Sequence, residues 1–322
     1  MAETRAKWTD LIPDTGLKIS EVFDQGDLLY KSGVASIMNV TSGDGAQKNY
    51  TGKTGFGELK KFADGDSVPA TRRDKTYTTK VAYNNYGEYV EVTKNQIEDR
   101  DFEAELSEMK DLSAAANYSV DKSAMQLFNG AFATTVAVNG YDMTWYGDAV
   151  PLCSTVHPTV VPGESTQSNA SSTGIKLSHD NYETARLALE LQQTDNGLAI
   201  TMAGKNALVL PLNLEKTGME TINSELTPEN SNNAINVFRG STDIITSKFL
   251  DAANDGSNTR WFVVNQGTHK LYYETRQEKR LETDVNILNK VMTFTVDARW
   301  ANFVKDWRGV WGSKGDLAAY SS

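Results

Sequence analysis

The chain has 322 residues, 39% of them hydrophobic and 23% charged, with a formal charge of −10. That length accommodates two core-bearing modules, and Trp, Tyr and Phe are too plentiful for a disordered chain. The acidity argues against sequence-specific nucleic-acid recognition, and a single cysteine, Cys153, excludes an internal disulfide and fits a reducing compartment.

Residues 1–43 read as an N-terminal arm, polar at its start, without the apolar run of a signal peptide. Its one strand-like piece is 34–40. Residues 44–93 read as an extended β-hairpin loop. The stretch 42–57 is too rich in glycine for a helix, and 58–75 carries dense mixed charge with few apolar anchors. Such a segment cannot bury itself, so its charged side chains become the candidate subunit contacts: Lys60, Lys61, Asp64, Asp66, Arg72 and Arg73. Tyr77, Thr79, Val81 and Tyr83 alternate as one strand and 89–93 continue as a second, with Asn84 and Asn85 suited to the turn between them.

Residues 94–176 open with a helix over 98–129. Carboxylates at Glu98, Asp99, Asp101, Glu103 and Glu105 favour the positive end of its dipole. Phe102, Leu106, Met109, Ser113, Ala116, Val120, Ala124 and Leu127 recur at three or four, and Gly130 supplies a stop. At 1.5 Å per residue this rod spans roughly 45–50 Å, enough to back a sheet as a spine. Residues 133–176 read as an irregular insert. Ser178 can cap a second helix ending near Asn196 and Gly197. Strands are then expected at 198–202, 207–210, 235–238, 243–246, 261–264 and 291–296, with a short helix after Asn213. The class is α+β.

Motifs with chemical potential fail on spacing. Gly52, Lys53 and Thr54 end like a phosphate-binding loop, but position 47 is Gln where a glycine is required. Asp251, Asp255 and Gly256 hint at a calcium loop, yet Ala253 and Phe262 stand at ligand positions. Cys153 and His157 are too few for a zinc site and set no geometry for a thiol nucleophile. Trp300, Phe303, Trp307 and Trp311 read as a closing segment packed on a sheet rather than a sugar platform. No catalytic, cofactor-binding or metal residue is assigned, and the chain is read as a non-enzyme. No apolar run reaches membrane-spanning length.

Several pieces occur in an order that resembles the Mu-like major head proteins of tailed bacteriophages. Tyr182, Ala185 and Ala188 lead into Leu191, Gln192, Gln193, Asp195, Asn196 and Gly197. Leu208, Val209, Leu210, Pro211 and Leu212 follow, then Ile244 to Leu250, then Trp261 to Val264. The chain closes with Phe294, Val296, Ala298 and Arg299, and with Asp306, Trp307, Arg308 and Gly309. The resemblance implies a Hong Kong 97-type capsid fold: an extended loop at 44–93, a peripheral domain at 94–176 with a spine helix, an axial domain at 177–265, and return strands at 266–322. It implies a major capsid protein that self-assembles into pentamers and hexamers of an icosahedral head around double-stranded DNA, held without sequence recognition. Implied partners are further copies of the chain, a separate scaffolding protein, a portal and a decoration protein, with no membrane and no cofactor. The place is the virion, after assembly in the bacterial cytoplasm. Two alternatives stay open at this point: another virion component, such as a tail-tube or decoration protein, and a cytoplasmic α+β ligand-binding protein or enzyme.

Overall fold

The computed structural model describes residues 19–70, 73–93, 95, 103–135, 137–227, 234–286 and 288–320. In chain order the elements are α1 (Ile19–Leu29), β1 (Asn39–Ser42), β2 (Gln47–Lys53), β3 (Lys75–Ala82), β4 (Asn84–Thr93), α2 (Glu103–Asn129), β5 (Ala137–Val138) and β6 (Tyr141–Thr144). There follow α3 (His179–Glu190), β7 (Asn206–Pro211), α4 (Glu215–Asn223), β8 (Thr242–Ser247), β9 (Trp261–Asn265), β10 (Leu271–Asn286), β11 (Val291–Val304) and β12 (Val310–Ser313).

Two sheets organise the chain. The larger has the order β1-β10-β11-β6-β5, with β4 also paired to β11. Strand β11 is long enough to hold two partners on one edge: β4 runs antiparallel along its first part, from Val291↔Thr93 to Trp300↔Asn84. Strand β6 then takes over in parallel at Asn302↔Met143 and Phe303↔Thr144. The smaller sheet has the order β12-β9-β7-β8. Its β7 and β9 are buried at every position, as expected of central strands written NALVLP and WFVVN.

The spine helix is present as α2, ending at Asn129 just before Gly130. Residues 98–102 lie outside the described residues, so its expected acidic start is documented only from Glu103. Its 27 residues span about 40 Å. Met109, Leu112, Ala124, Leu127 and Phe128 are buried along it. At its C-terminal end Leu127 and Phe128 join the largest core, with Trp145, Phe262, Trp300 and Trp307. A second core holds Tyr182, Leu189, Leu208, Leu210, Trp261 and Trp311 under α3. The closing aromatics Trp300, Phe303, Trp307 and Trp311 are all buried, as the sheet-packing reading requires.

Several expectations need correction. The strands at 77–83 and 89–93 do not pair with each other. Strand β3 pairs antiparallel with β2, from Gln47↔Ala82 to Lys53↔Lys75, while β4 joins the large sheet. Only Tyr83 separates β3 from β4, and a reversal needs a loop of about two residues, so the chain switches sheets instead of turning back. The projecting hairpin is therefore β2–β3, with residues 54–70 and 73–74 described at its tip. The segment 34–40 is a 3-10 turn at Val34–Ser36 followed by the start of β1, with Val34, Ile37 and Met38 buried.

Helix α1 packs against α2 and was not foreseen. Its Gly26 makes the approach possible, because a Cβ there would strike the Lys110 carbonyl oxygen and Ser113. Helix α3 carries the expected Ser178 cap, whose hydroxyl accepts from the Asn181 amide at 3.3 Å. It stops at Glu190 and not near 196, since residues 194–198 form a turn with Gly197 at φ +77°. The segments 198–202 and 235–238 are not strands and contribute single bridges, Gln193↔Ala199 and Leu226↔Ile235. Strand β10 lies in the region 266–322 where the resemblance implies return strands, although no strand was read there from the residues themselves.

Candidate assembly surface

The hairpin β2–β3 is fixed at one end and unsupported at the other. At its root the buried Glu274 carboxylate of β10 accepts from Tyr83 Oη at 2.5 Å, Tyr50 Oη at 2.6 Å and Lys48 Nζ at 3.0 Å. Burial alone would raise its pKa, but these three donors outweigh burial and hold the carboxyl below its ordinary value. Beside this network Phe303 is stacked by Tyr50 at 5.2 Å and by Tyr272 at 5.5 Å. The Lys305 ammonium sits 3.9 and 3.6 Å from the Tyr50 and Tyr272 ring centres. Val81 and Thr79 are buried on the same side, and the Thr79 hydroxyl donates to the Val304 carbonyl at 3.1 Å.

The tip is the opposite case. Leu59 is 100% exposed, and Phe56, Phe62 and Val68 are more than half exposed. Every residue from 60 to 70 is exposed. Of the six candidate contacts, Lys60, Lys61, Asp64 and Asp66 are exposed and form no ion pair among the described residues. Arg73 is exposed too, with its guanidinium 4.8 Å from the Phe56 ring centre and its Nε donating to the Thr54 carbonyl at 3.3 Å. Arg72 lies outside the described residues. Four largely exposed apolar side chains on one loop are an unmet burial requirement: the wholly exposed Leu59 would gain about 1.5–3 kcal/mol on full burial, and the partly covered ones correspondingly less.

The residues considered for chemistry are absorbed elsewhere. His157 is buried, with Nδ1 2.8 Å from Asp148 Oδ2, Nε2 3.0 Å from Asn169 Oδ1, and its ring 4.2 Å from that of Trp307. Both nitrogens are engaged, so neither serves Cys153 as a base, and burial pushes the Cys153 thiol well up. Asp251 accepts from the Leu212 amide in a turn, and Asp255 takes a left-handed conformation. Among the described residues no group of three or more His, Cys, Asp or Glu is disposed to hold a metal, and no helix is long and apolar enough to cross a membrane.

Two sequence pieces more than a hundred positions apart meet here. Gln192 accepts from the Gly309 amide at 2.7 Å and donates to the Val310 carbonyl at 3.0 Å, while Arg308 pairs with Asp195 at 2.9 Å. Gly309 has φ +83°, and a Cβ there would press on the His269 backbone. The Glu274 network was missed in sequence. Its only outward signal is a glutamate within a charged strand, and its Tyr83 partner is 191 positions away.

Known proteins show what this architecture is similar to. The phage capsid protein family model matches residues 76–313. A solved structure from Mycobacterium phage Patience has a TM-score of 0.53 at 11% identity, over 94% of this chain and 87% of that one. The cyanophage Pam1 capsid has 0.52 at 14%, over 89% of each chain. The bacteriophage JBD30 capsid decorated with minor capsid protein trimers has 0.53 at 14%, over 68% of this chain and 91% of that one. At such identities the likeness is one of fold, the mixed α+β Hong Kong 97-type architecture of phage capsids. No curated protein sequence matches the chain. The family match takes in all but the first residue of β3 and every later element through β12, a structural and non-enzymatic assignment: the chain belongs to the phage capsid protein family.

Proposed function

We propose that this chain is the major capsid protein of a tailed phage, closing into pentamers and hexamers of an icosahedral head around double-stranded DNA. The observation that carries the assembly contact is the hairpin: a rigid root on its own sheet and a tip with Phe56, Leu59, Phe62 and Val68 in solvent. An adjacent copy is the occupant that would cover them. Lys60, Lys61, Asp64, Asp66, Arg72 and Arg73 set the register of that contact, each rim pair contributing about 0–1 kcal/mol. Head-to-tail contacts close into rings when the rotation permits, and many linked contacts make a firm shell from modest ones.

In the same reading residues 177–265 form the axial unit around each ring centre, and 94–176 with 266–322 form the peripheral unit. The JBD30 capsid is decorated with minor capsid protein trimers; a decoration partner here is part of the proposal, as are a scaffolding protein and a portal. The chain would be assembled in the host cytoplasm and reside in the virion. Sedimentation and negative-stain microscopy of the expressed protein, with scaffold supplied, test it. Rings or polyhedral shells are expected. Tubes would favour a tail protein, and a monodisperse monomer at high concentration would overturn the shell reading.

A further inference from the structure

We propose that the cavity beneath the hairpin root is a binding site for a small multivalent anion of the phosphate type. The cavity, of about 410 Å³, is lined by Tyr50 and Lys53 of the hairpin, by Lys270 and Tyr272, and by Lys305 and Arg308. Three separate segments thus bring four cations to one space in a chain whose formal charge is −10.

The nearby carboxylates neutralise Arg308 but not the three lysines. Asp195 and Asp306 share the lining, but both are engaged by Arg308, at 2.9 Å and at 3.2 Å. Glu274 is taken by Tyr50, Tyr83 and Lys48. Among the described residues Lys53, Lys270 and Lys305 form no ion pair. The Lys305 ammonium rests on two tyrosine rings. Burial lowers its pKa, and Lys48 and Lys270 push it the same way against the pull of Glu274.

A multivalent anion among these three ammonium groups would relieve their mutual repulsion and form charge-assisted hydrogen bonds. The same space touches the turn at 194–198, where the Asn196 side chain already donates to the Gly55 carbonyl. An anion held there would tie the hairpin root to that turn and to the ends of β10 and β11, and so fix the angle at which the hairpin projects. The proposal requires no step of the shell reading.

Pyrophosphate titrated into the purified full chain at constant ionic strength is the test, read by calorimetry and by the thermal midpoint. Saturable binding with a rising midpoint is expected. Replacing the two exposed lysines together, Lys53→Met with Lys270→Met, should weaken the apparent affinity tenfold or more without lowering the ligand-free midpoint. The control pair Lys205→Met with Lys216→Met, outside the cavity, should bind as the parent does. No saturable binding by the parent, or equal binding by the cavity variant, would overturn the proposal.

Discussion

The two ends of the β2–β3 hairpin are cut from one stretch of chain and treated oppositely by the fold. At the root, Tyr50, Val81 and Tyr83 close on Phe303 and Glu274 of the molecule's own sheet. At the tip, Leu59 is wholly exposed and Phe56, Phe62 and Val68 are more than half exposed. The root commits its apolar surface to folding, while the tip leaves its own exposed for the contact proposed above. A projecting strand pair is marginal by itself, so a stiff anchor is what allows the far end to be presented in one direction.

The largest expected effect breaks the root. Phe303 is fully buried against two tyrosine rings, and Phe303→Ala should cost about 3–5 kcal/mol in urea unfolding.

Acidification comes next. Burial lowers the pKa of His269 to about 4, with Nδ1 accepting from the Leu271 amide at the start of β10. The unfolded chain therefore binds the extra proton between about pH 6.5 and pH 4, so stability falls as pH drops through that window. The loss should approach about 3 kcal/mol at pH 4, and His269→Asn, which keeps an acceptor near Nδ1, should flatten it. Glu274 acts in the same direction at lower pH: its contribution is present above the ordinary glutamate pKa and vanishes as pH falls through its depressed folded value.

A smaller loss is expected for Glu274→Gln, which cannot accept from both tyrosines and Lys48. About 1–3 kcal/mol should disappear, and amide exchange should quicken in β2 and β3 while β7 and β9 stay protected. Uniform acceleration across both sheets would show that the root network does not govern the hairpin in particular.

How much of this the sequence disclosed follows from where each element finds its stability. The spine helix, α3 and its Ser178 cap, and β7, β8 and β9 were legible because their apolar periodicity or runs record burial within a few residues. Strand β10 was not. Its sequence LYYETRQEKRLETDVN is charged along most of its length, because much of it stands as an exposed arm held by ladder pairing with β11, and pairing leaves little trace in composition. The change of sheet at Tyr83 was equally hidden, since alternation marks both strands without naming their partners. Helix α1 depends on Gly26 fitting against α2, a close approach that only the folded pair reveals. Of the candidate contacts, the charged tip was legible as a segment unable to bury itself. Its apolar residues were undervalued because they are scattered among Gly, Asp and Lys.

In the assembly proposed above, the tip's apolar side chains serve association and not folding. Leu59→Ser combined with Phe62→Ser tests it most directly, with urea unfolding and sedimentation measured on the same preparation. The expected result is an unfolding free energy within about 0.5 kcal/mol of the parent, together with loss of rings and shells. A double variant that assembles as the parent does, or one that unfolds far more easily, would contradict it.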